Sequence, residues 1–265
     1  MKVKNRKENH RPSRTRGFSL IELLVAIAIL MIIMGIVFQQ VDIVQKRNRQ
    51  EEVKLDIFQT AREFIDQMTR DIHQAGFPNG KMYTAAYQNP GLQTNAVGLF
   101  YISPTEVHFQ GDVDADGIVD YVAYKLVPRS TNPGDANCPC LRRSQLQKAD
   151  DPSTPYDPFG QAPDFRTQVE NITFKVSGSP TSISGERIFR AFDKFGSEVD
   201  ITSGLTRTTF DPLDDGWQAT SDPSGITRIW TIQINLDVQA PTTDIGARGA
   251  GKPEVFLTAT AQVTN

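Results

Sequence analysis

The densest chemistry in this 265-residue chain is Asp112-Val113-Asp114-Ala115-Asp116-Gly117-Ile118-Val119-Asp120. Alternating aspartates set carboxylates on one side of a tight loop, and the glycine permits the sharp turn. The spacing matches the first half of an EF-hand loop, with Asp112, Asp114 and Asp116 as ligands, Ile118 through its carbonyl, and Asp120 directly or through water. The twelfth position is Ala123 rather than glutamate, and no flanking helices are evident, so the motif is incomplete. Two readings stand side by side: a Ca2+ loop of the kind found outside true EF-hands, and a solvated acidic turn. Clustered carboxylates repel one another without a cation, which is the argument for Ca2+, the one cofactor the sequence offers.

Cys138-Pro139-Cys140 is a second constellation. Two thiolates are too few for a zinc site, no activating group adjoins them, and the single spacer leaves their pairing open. They read as structural. His73 falls on a helix, and His108 on the polar side of a strand opposite Val107 and Phe109; neither stands beside an evident nucleophile. Phosphate-binding glycine loops, zinc-protease motifs and Gly-x-Ser-x-Gly are absent from the sequence, so an enzyme is not expected.

Glu22 is the remaining group, and its surroundings make it unusual. It is the only charge between Phe18 and Phe38, a run of 21 residues. That run is long enough to cross a bilayer, which takes about 20 apolar residues. A charge inside such a run costs about 2.5–3.5 kcal/mol on insertion scales and marks a functional residue. A secretory signal would have a shorter apolar core followed by a small-x-small cleavage site, and Ile36-Val37-Phe38-Gln39-Gln40-Val41 offers none. A plain anchor leaves Glu22 unexplained.

Charge asymmetry orients the span. Residues 1–17 hold Lys2, Lys4, Arg6, Lys7, Arg11, Arg14 and Arg16 against Glu8, a net of +6, whereas the rest of the chain carries −9. A basic leader predicts a cytoplasmic N-terminus and an exported body. The acidic body does not favour nucleic acid.

Arg16-Gly17-Phe18-Ser19-Leu20-Ile21-Glu22-Leu23-Leu24-Val25 resembles the N-methylation motif of type IV prepilins and pseudopilins. The resemblance implies cleavage by a prepilin peptidase between Gly17 and Phe18 and methylation of the new Phe18 amine. It also implies that Glu22 faces a neighbouring subunit's N-terminal amine during assembly. Many major pilins carry a proline near the end of this run; here there is Gly35 and no proline, which points away from a major pilin.

Beyond Gln39 the chain is polar, with no helix breaker before Gly76 and Pro78. Leu55, Phe58, Ala61, Ile65, Met68 and Ile72 recur at three and four residues, the stripe of an amphipathic helix. One helix from Phe18 to about Ala75 would be roughly 85 Å long. The segment Arg70-Asp71-Ile72-His73-Gln74-Ala75-Gly76-Phe77 resembles the helix end of PilW-type minor pilins and of the J-type minor pseudopilin of type II secretion.

Strands are expected at Val97–Ile102, Thr105–Gly111, Ile118–Val127, Gln168–Val176, Arg187–Phe192, Thr227–Val238 and Glu254–Val263. Proline-, glycine- and aspartate-rich connections fill 128–137, 147–164, 202–224 and 239–253. The fold class is therefore α+β. A long N-terminal helix, transmembrane then amphipathic, packs on an antiparallel sheet, the pilin fold. The organisation is a leader at 1–17, a helix at 18–76 spanning the membrane over 18–38, and a periplasmic head at 77–265. The resemblance implies prepilin peptidase, other minor and major pilins or pseudopilins, and the inner membrane as partners. Its functional reading is a minor pilin that primes assembly, with a J-type pseudopilin or a tip adhesin or DNA-uptake subunit as rivals.

Overall fold

A computed structural model describes residues 19–78, 82, 92–128, 138–148, 164–170, 172, 187–207, 225–239 and 254–263. The chain divides into two units, Met1–Arg49 and Gln50–Asn265. Helix α1 runs from Leu20 to His73 and contributes to both. Gly35 does not break it.

In the first unit every described residue is exposed, including Leu23, Leu24, Ile29, Leu30, Ile33, Ile36 and Phe38. These lie all round the helix, so this stretch requires lipid or other helices rather than a core of its own.

In the second unit α1 buries Ala61, Phe64, Ile65, Met68, Asp71 and Ile72. This is the expected stripe shifted toward the C-terminus. Leu55 and Phe58 remain exposed, while Phe64 and Asp71 join the buried face. The stripe works because positions three and four apart share one side of a 3.6-residue helix. Met68 is wholly buried, a burial worth about 1.5–3 kcal/mol.

Among the described residues ten strands follow: β1 Gly98–Ile102, β2 Glu106–Gly111, β3 Asp120–Val127, β4 Cys140–Gln147, β5 Arg166–Val169, β6 Phe189–Phe192, β7 Glu198–Val199, β8 Leu205–Thr206, β9 Thr231–Gln239 and β10 Glu254–Gln262. They form two sheets rather than one. The larger has the order β5-β4-β3-β2-β1-β8, and the smaller β10-β9-β6-β7. All pairings between named strands are antiparallel. A single hydrophobic cluster joins Met68 and Ile72 of α1 to Phe109, Val122 and Leu141 of the large sheet and Ile232, Ile234 and Leu236 of the small one.

Several expected boundaries move. Cys140 opens β4 instead of lying in a loop, and the strand expected at Gln168–Val176 is β5, ending at Val169. Residues 173–176 lie outside the described residues. The strand expected from Thr227 begins at Thr231, because Ile226–Arg228 forms a 3-10 turn. That turn breaks the period-two alternation, so Ile229 is buried and Trp230 exposed. Past it the pattern holds, with Ile232, Ile234, Leu236 and Val238 inside. Ile118 and Val119 precede β3 rather than belonging to it.

The end of α1 is fixed by the large sheet. Gly76 turns the chain at φ 81°, and its N–H donates to the Gln110 carbonyl (2.8 Å). The Asp112 N–H donates to the Phe77 carbonyl (2.9 Å). Gly111 permits this approach, since a Cβ there would collide with the Gln74 carbonyl, 2.8 Å from its carbon.

Candidate functional site

The amino-terminal site is set by position along α1. The Ser19 carbonyl accepts from the N–H groups of Glu22 (3.0 Å) and Leu23 (3.1 Å), which opens the helix just ahead of Glu22. Glu22 thus stands in the first turn, where the unpaired N–H groups favour an anion. Its neighbours Ile21, Leu23 and Leu24 are exposed apolar side chains. A carboxylate so placed can take a cationic partner brought by another chain. Gly17 and Phe18, the expected cleavage pair, lie outside the described residues.

The acidic loop connects β2 to β3, as its sequence predicts. Carboxylate oxygens of Asp112, Asp114 and Asp116 lie within 4.8 Å of one another. That separation suits three ligands of one ion whose oxygens stand at about 2.3–2.6 Å from the metal. The loop also uses these groups itself. Asp112 accepts from the N–H groups of Asp116 (3.2 Å) and Gly117 (3.1 Å), and Asp116 accepts from the Ile118 N–H (2.8 Å). Ala115 (φ 62°) and Gly117 (φ 87°) both adopt the left-handed conformation that the turn needs.

The structure gathers three of the five candidate ligands. Asp120 is buried at the start of β3 and accepts from the Gln145 side chain (2.9 Å). Burial pushes its carboxyl up to about 6, helped by the nearby Asp114 and Asp116 charges and opposed by the Gln145 hydrogen bond. Ala123, the position where an EF-hand has glutamate, is buried within β3 opposite His108 and Ser144. Gln74 ties the loop to the helix: with its side-chain amide assigned so that the nitrogen faces the loop, it donates to the carbonyls of Asp112 (3.2 Å) and Val113 (3.3 Å).

The cysteines form a disulfide, Cys138–Cys140, and both are buried. His108 lies on the side of β2 facing away from α1, as expected, but it is only 5% exposed. Its Nε2 meets Glu106 (2.6 Å) and its Nδ1 meets the Tyr121 hydroxyl (2.7 Å), with Lys125 also 3.3 Å from Glu106. Burial pushes the Glu106 carboxyl up, but the hydrogen bonds and charges of His108 and Lys125 outweigh it and hold it below the usual glutamate value. The arrangement holds β2 and β3 together. His73 is exposed on α1.

Sequence reasoning did not find the ion pair that joins α1 to β4. Asp71 accepts from Arg143 Nη2 (2.7 Å), Arg143 Nε (2.9 Å) and the Tyr124 hydroxyl (2.6 Å). Arg143 Nε also donates to the Tyr124 oxygen (3.1 Å). Burial and the Asp71 charge raise the Tyr124 hydroxyl well above its ordinary value, so it stays a donor. The available signal was an acidic residue beside Met68 and Ile72 on the apolar stripe. Only a distant cation makes that position tolerable.

A shallow groove of about 300 Å³ between α1, β5 and β9 is lined by Asp56, Ile57, Thr60, Gln168, Glu170 and Gln239 among others.

Residues 12–38 match the family model of the prokaryotic N-terminal methylation motif. No curated protein and no solved structure matches the chain. The match spans Gly17, Phe18 and Glu22 and stops at Phe38, where the apolar run ends. One long N-terminal helix, apolar in its first half, with antiparallel sheets packed on its later turns is a pilin-like α+β architecture, and together with the methylation motif it supports the type IV prepilin and pseudopilin family.

Proposed function

We propose that this chain is a minor type IV pilin that helps start filament assembly after prepilin peptidase cuts it between Gly17 and Phe18. The observation that carries the reading is Glu22, a single carboxylate among exposed apolar side chains inside the matched motif. In a water-poor helix bundle an unpaired carboxylate is strongly unfavourable, and a cation offsets it. Cleavage creates such a cation four residues earlier, on Phe18. A small axial shift between neighbours sets one chain's Phe18 amine against the next chain's Glu22. The function is assembly rather than catalysis, and the head supplies contacts to other subunits. The Asp112–Asp116 loop, seated on the end of α1, is a Ca2+ site that stiffens those contacts.

A J-type minor pseudopilin of type II secretion would use the same parts. The Arg70-Asp71-Ile72 to Gly76-Phe77 segment supports both, and gene neighbourhood separates them.

The test is complementation of a deletion strain, with surface filaments counted. Deletion should abolish most filaments; Glu22→Gln should fail to restore them, and Glu22→Asp should restore them in part. Normal filament numbers in the deletion, with adhesion or DNA uptake lost, would instead establish a binding subunit.

A further inference from the structure

We infer that the outer edge of β10 is a docking site for an extended strand of another filament subunit, which adds to the small sheet as its next strand. This rests on the reading of the chain as a prepilin-class subunit, which supplies such a neighbour. Strand β10 runs nine residues and pairs with β9 in one unbroken register, from Glu254↔Gln239 to Gln262↔Thr231. It ends the small sheet, and no described strand pairs with its other side. Such an edge offers a row of backbone donors and acceptors, and proteins normally blunt it with charge, proline, a bulge or short length. The other described sheet edges follow that rule: β7 and β8 have two residues each, and β5 has four and carries Arg166. From Val255 to Gln262 there is no charge, no proline and no bulge.

The hydrogen bonding of β9 shows which groups are open. The Asn235 N–H donates to the Ile188 carbonyl beside β6 (2.8 Å), so the alternation of an antiparallel ladder turns the backbone groups of Ile234 and Leu236 toward β10. Their partners there are Ala259 and Leu257. Phe256, Thr258 and Thr260 therefore aim N–H and C=O outward. Side-chain exposure agrees. Ile234 and Leu236 are fully buried, whereas Leu257 and Ala259, on the same core-facing side, are only partly covered. Phe256, on the opposite side, is 64% exposed. These features define the occupant. Backbone groups in a row call for a strand rather than a helix or a lipid. That strand carries small or apolar residues at every second position, to close over Leu257 and Ala259. It brings no charge to its middle, where β10 has none to answer it. Subunits aligned along their helices hold such a strand at high effective concentration.

The test is photocrosslinking in intact cells of the native strain, with p-benzoylphenylalanine at position 256 of the full chain and adducts identified by mass spectrometry. The expected adduct joins the chain to another protein that bears an N-terminal methylation motif. Thr258→Pro removes an outward N–H and spares the ladder to β9, so it should lower the adduct roughly tenfold or more with the amount of protein unchanged. Thr260→Lys, which places a charge on the exposed edge, should act in the same way and decides the matter where the proline variant fails to accumulate. An adduct undiminished in a variant that accumulates overturns the inference. So does a processed wild type that gives no adduct, a crosslink within the chain itself, or a dimer of this chain. In each of those cases processing at Phe18 leaves the filament reading standing. A wild-type chain that keeps residues 1–17 overturns both.

Discussion

Arg143→Ala is the perturbation whose size follows most directly from the structure. Arg143 reaches Asp71 through two nitrogens at 2.7 and 2.9 Å, with side-chain exposures of 13% and 9% for the two partners. Solvent therefore screens the pair little. Removing the guanidinium leaves Asp71 with the hydrogen bond from the Tyr124 hydroxyl at 2.6 Å. Stripping one member from a buried pair generally costs about 3–5 kcal/mol, mostly through the charge left behind. The pair links the last turns of α1 to β4, so the loss should appear as global destabilisation of the unit Gln50–Asn265. Urea unfolding of residues 50–265 measures it. Asp71→Ala should cost a similar amount, and the double variant much less than the sum, with a coupling of at least about 2 kcal/mol. A cost below about 1 kcal/mol for Arg143→Ala, or additive single variants, would refute the reasoning.

Further outcomes follow from the same packing. Gly111→Ala should destabilise the head by about 1–3 kcal/mol or more, read by thermal unfolding, because the new methyl meets the Gln74 carbonyl. Since the Glu106 carboxyl is held below its ordinary value of 4.5, its contribution is present above that value and is lost as pH falls through the lower folded value. Glu106→Gln should therefore lower stability at pH 7 and flatten the acid limb of a pH–stability curve. Millimolar Ca2+ should stabilise the head by roughly 1–2 kcal/mol in calorimetry, as for weak extracellular sites, and an Asp112→Asn/Asp114→Asn variant should abolish the gain. No Ca2+ response in wild type would make the loop a self-satisfied acidic turn.

The parts legible in the sequence were those encoded locally. The apolar run with its lone Glu22, the stop at Gly76 and the alternation from Ile232 to Val238 each occupy one continuous segment, and each sits where its pattern predicts. The Asp loop was placed correctly between β2 and β3 for the same reason. Strand β4 was not visible because its α1-facing positions carry Leu141, Arg143 and Gln145, opposite Leu126, Tyr124 and Val122. An inward arginine erases the apolar alternation that marks a strand, and its purpose depends on Asp71, 72 residues earlier. The division into two sheets was equally hidden. Strand β8 has two residues and pairs with β1 through Tyr101↔Thr206, so its identity depends on long-range pairing rather than on local propensity.

The central claim is that the N-terminus is a processed prepilin end, and intact-mass spectrometry of the protein from its native membrane tests it most directly. Wild type should begin at a methylated Phe18, and a Gly17 substitution should leave the chain uncut. A wild-type chain that keeps residues 1–17 in cells with active peptidase would contradict the account, leaving a membrane-anchored β-rich protein whose role lies in its head.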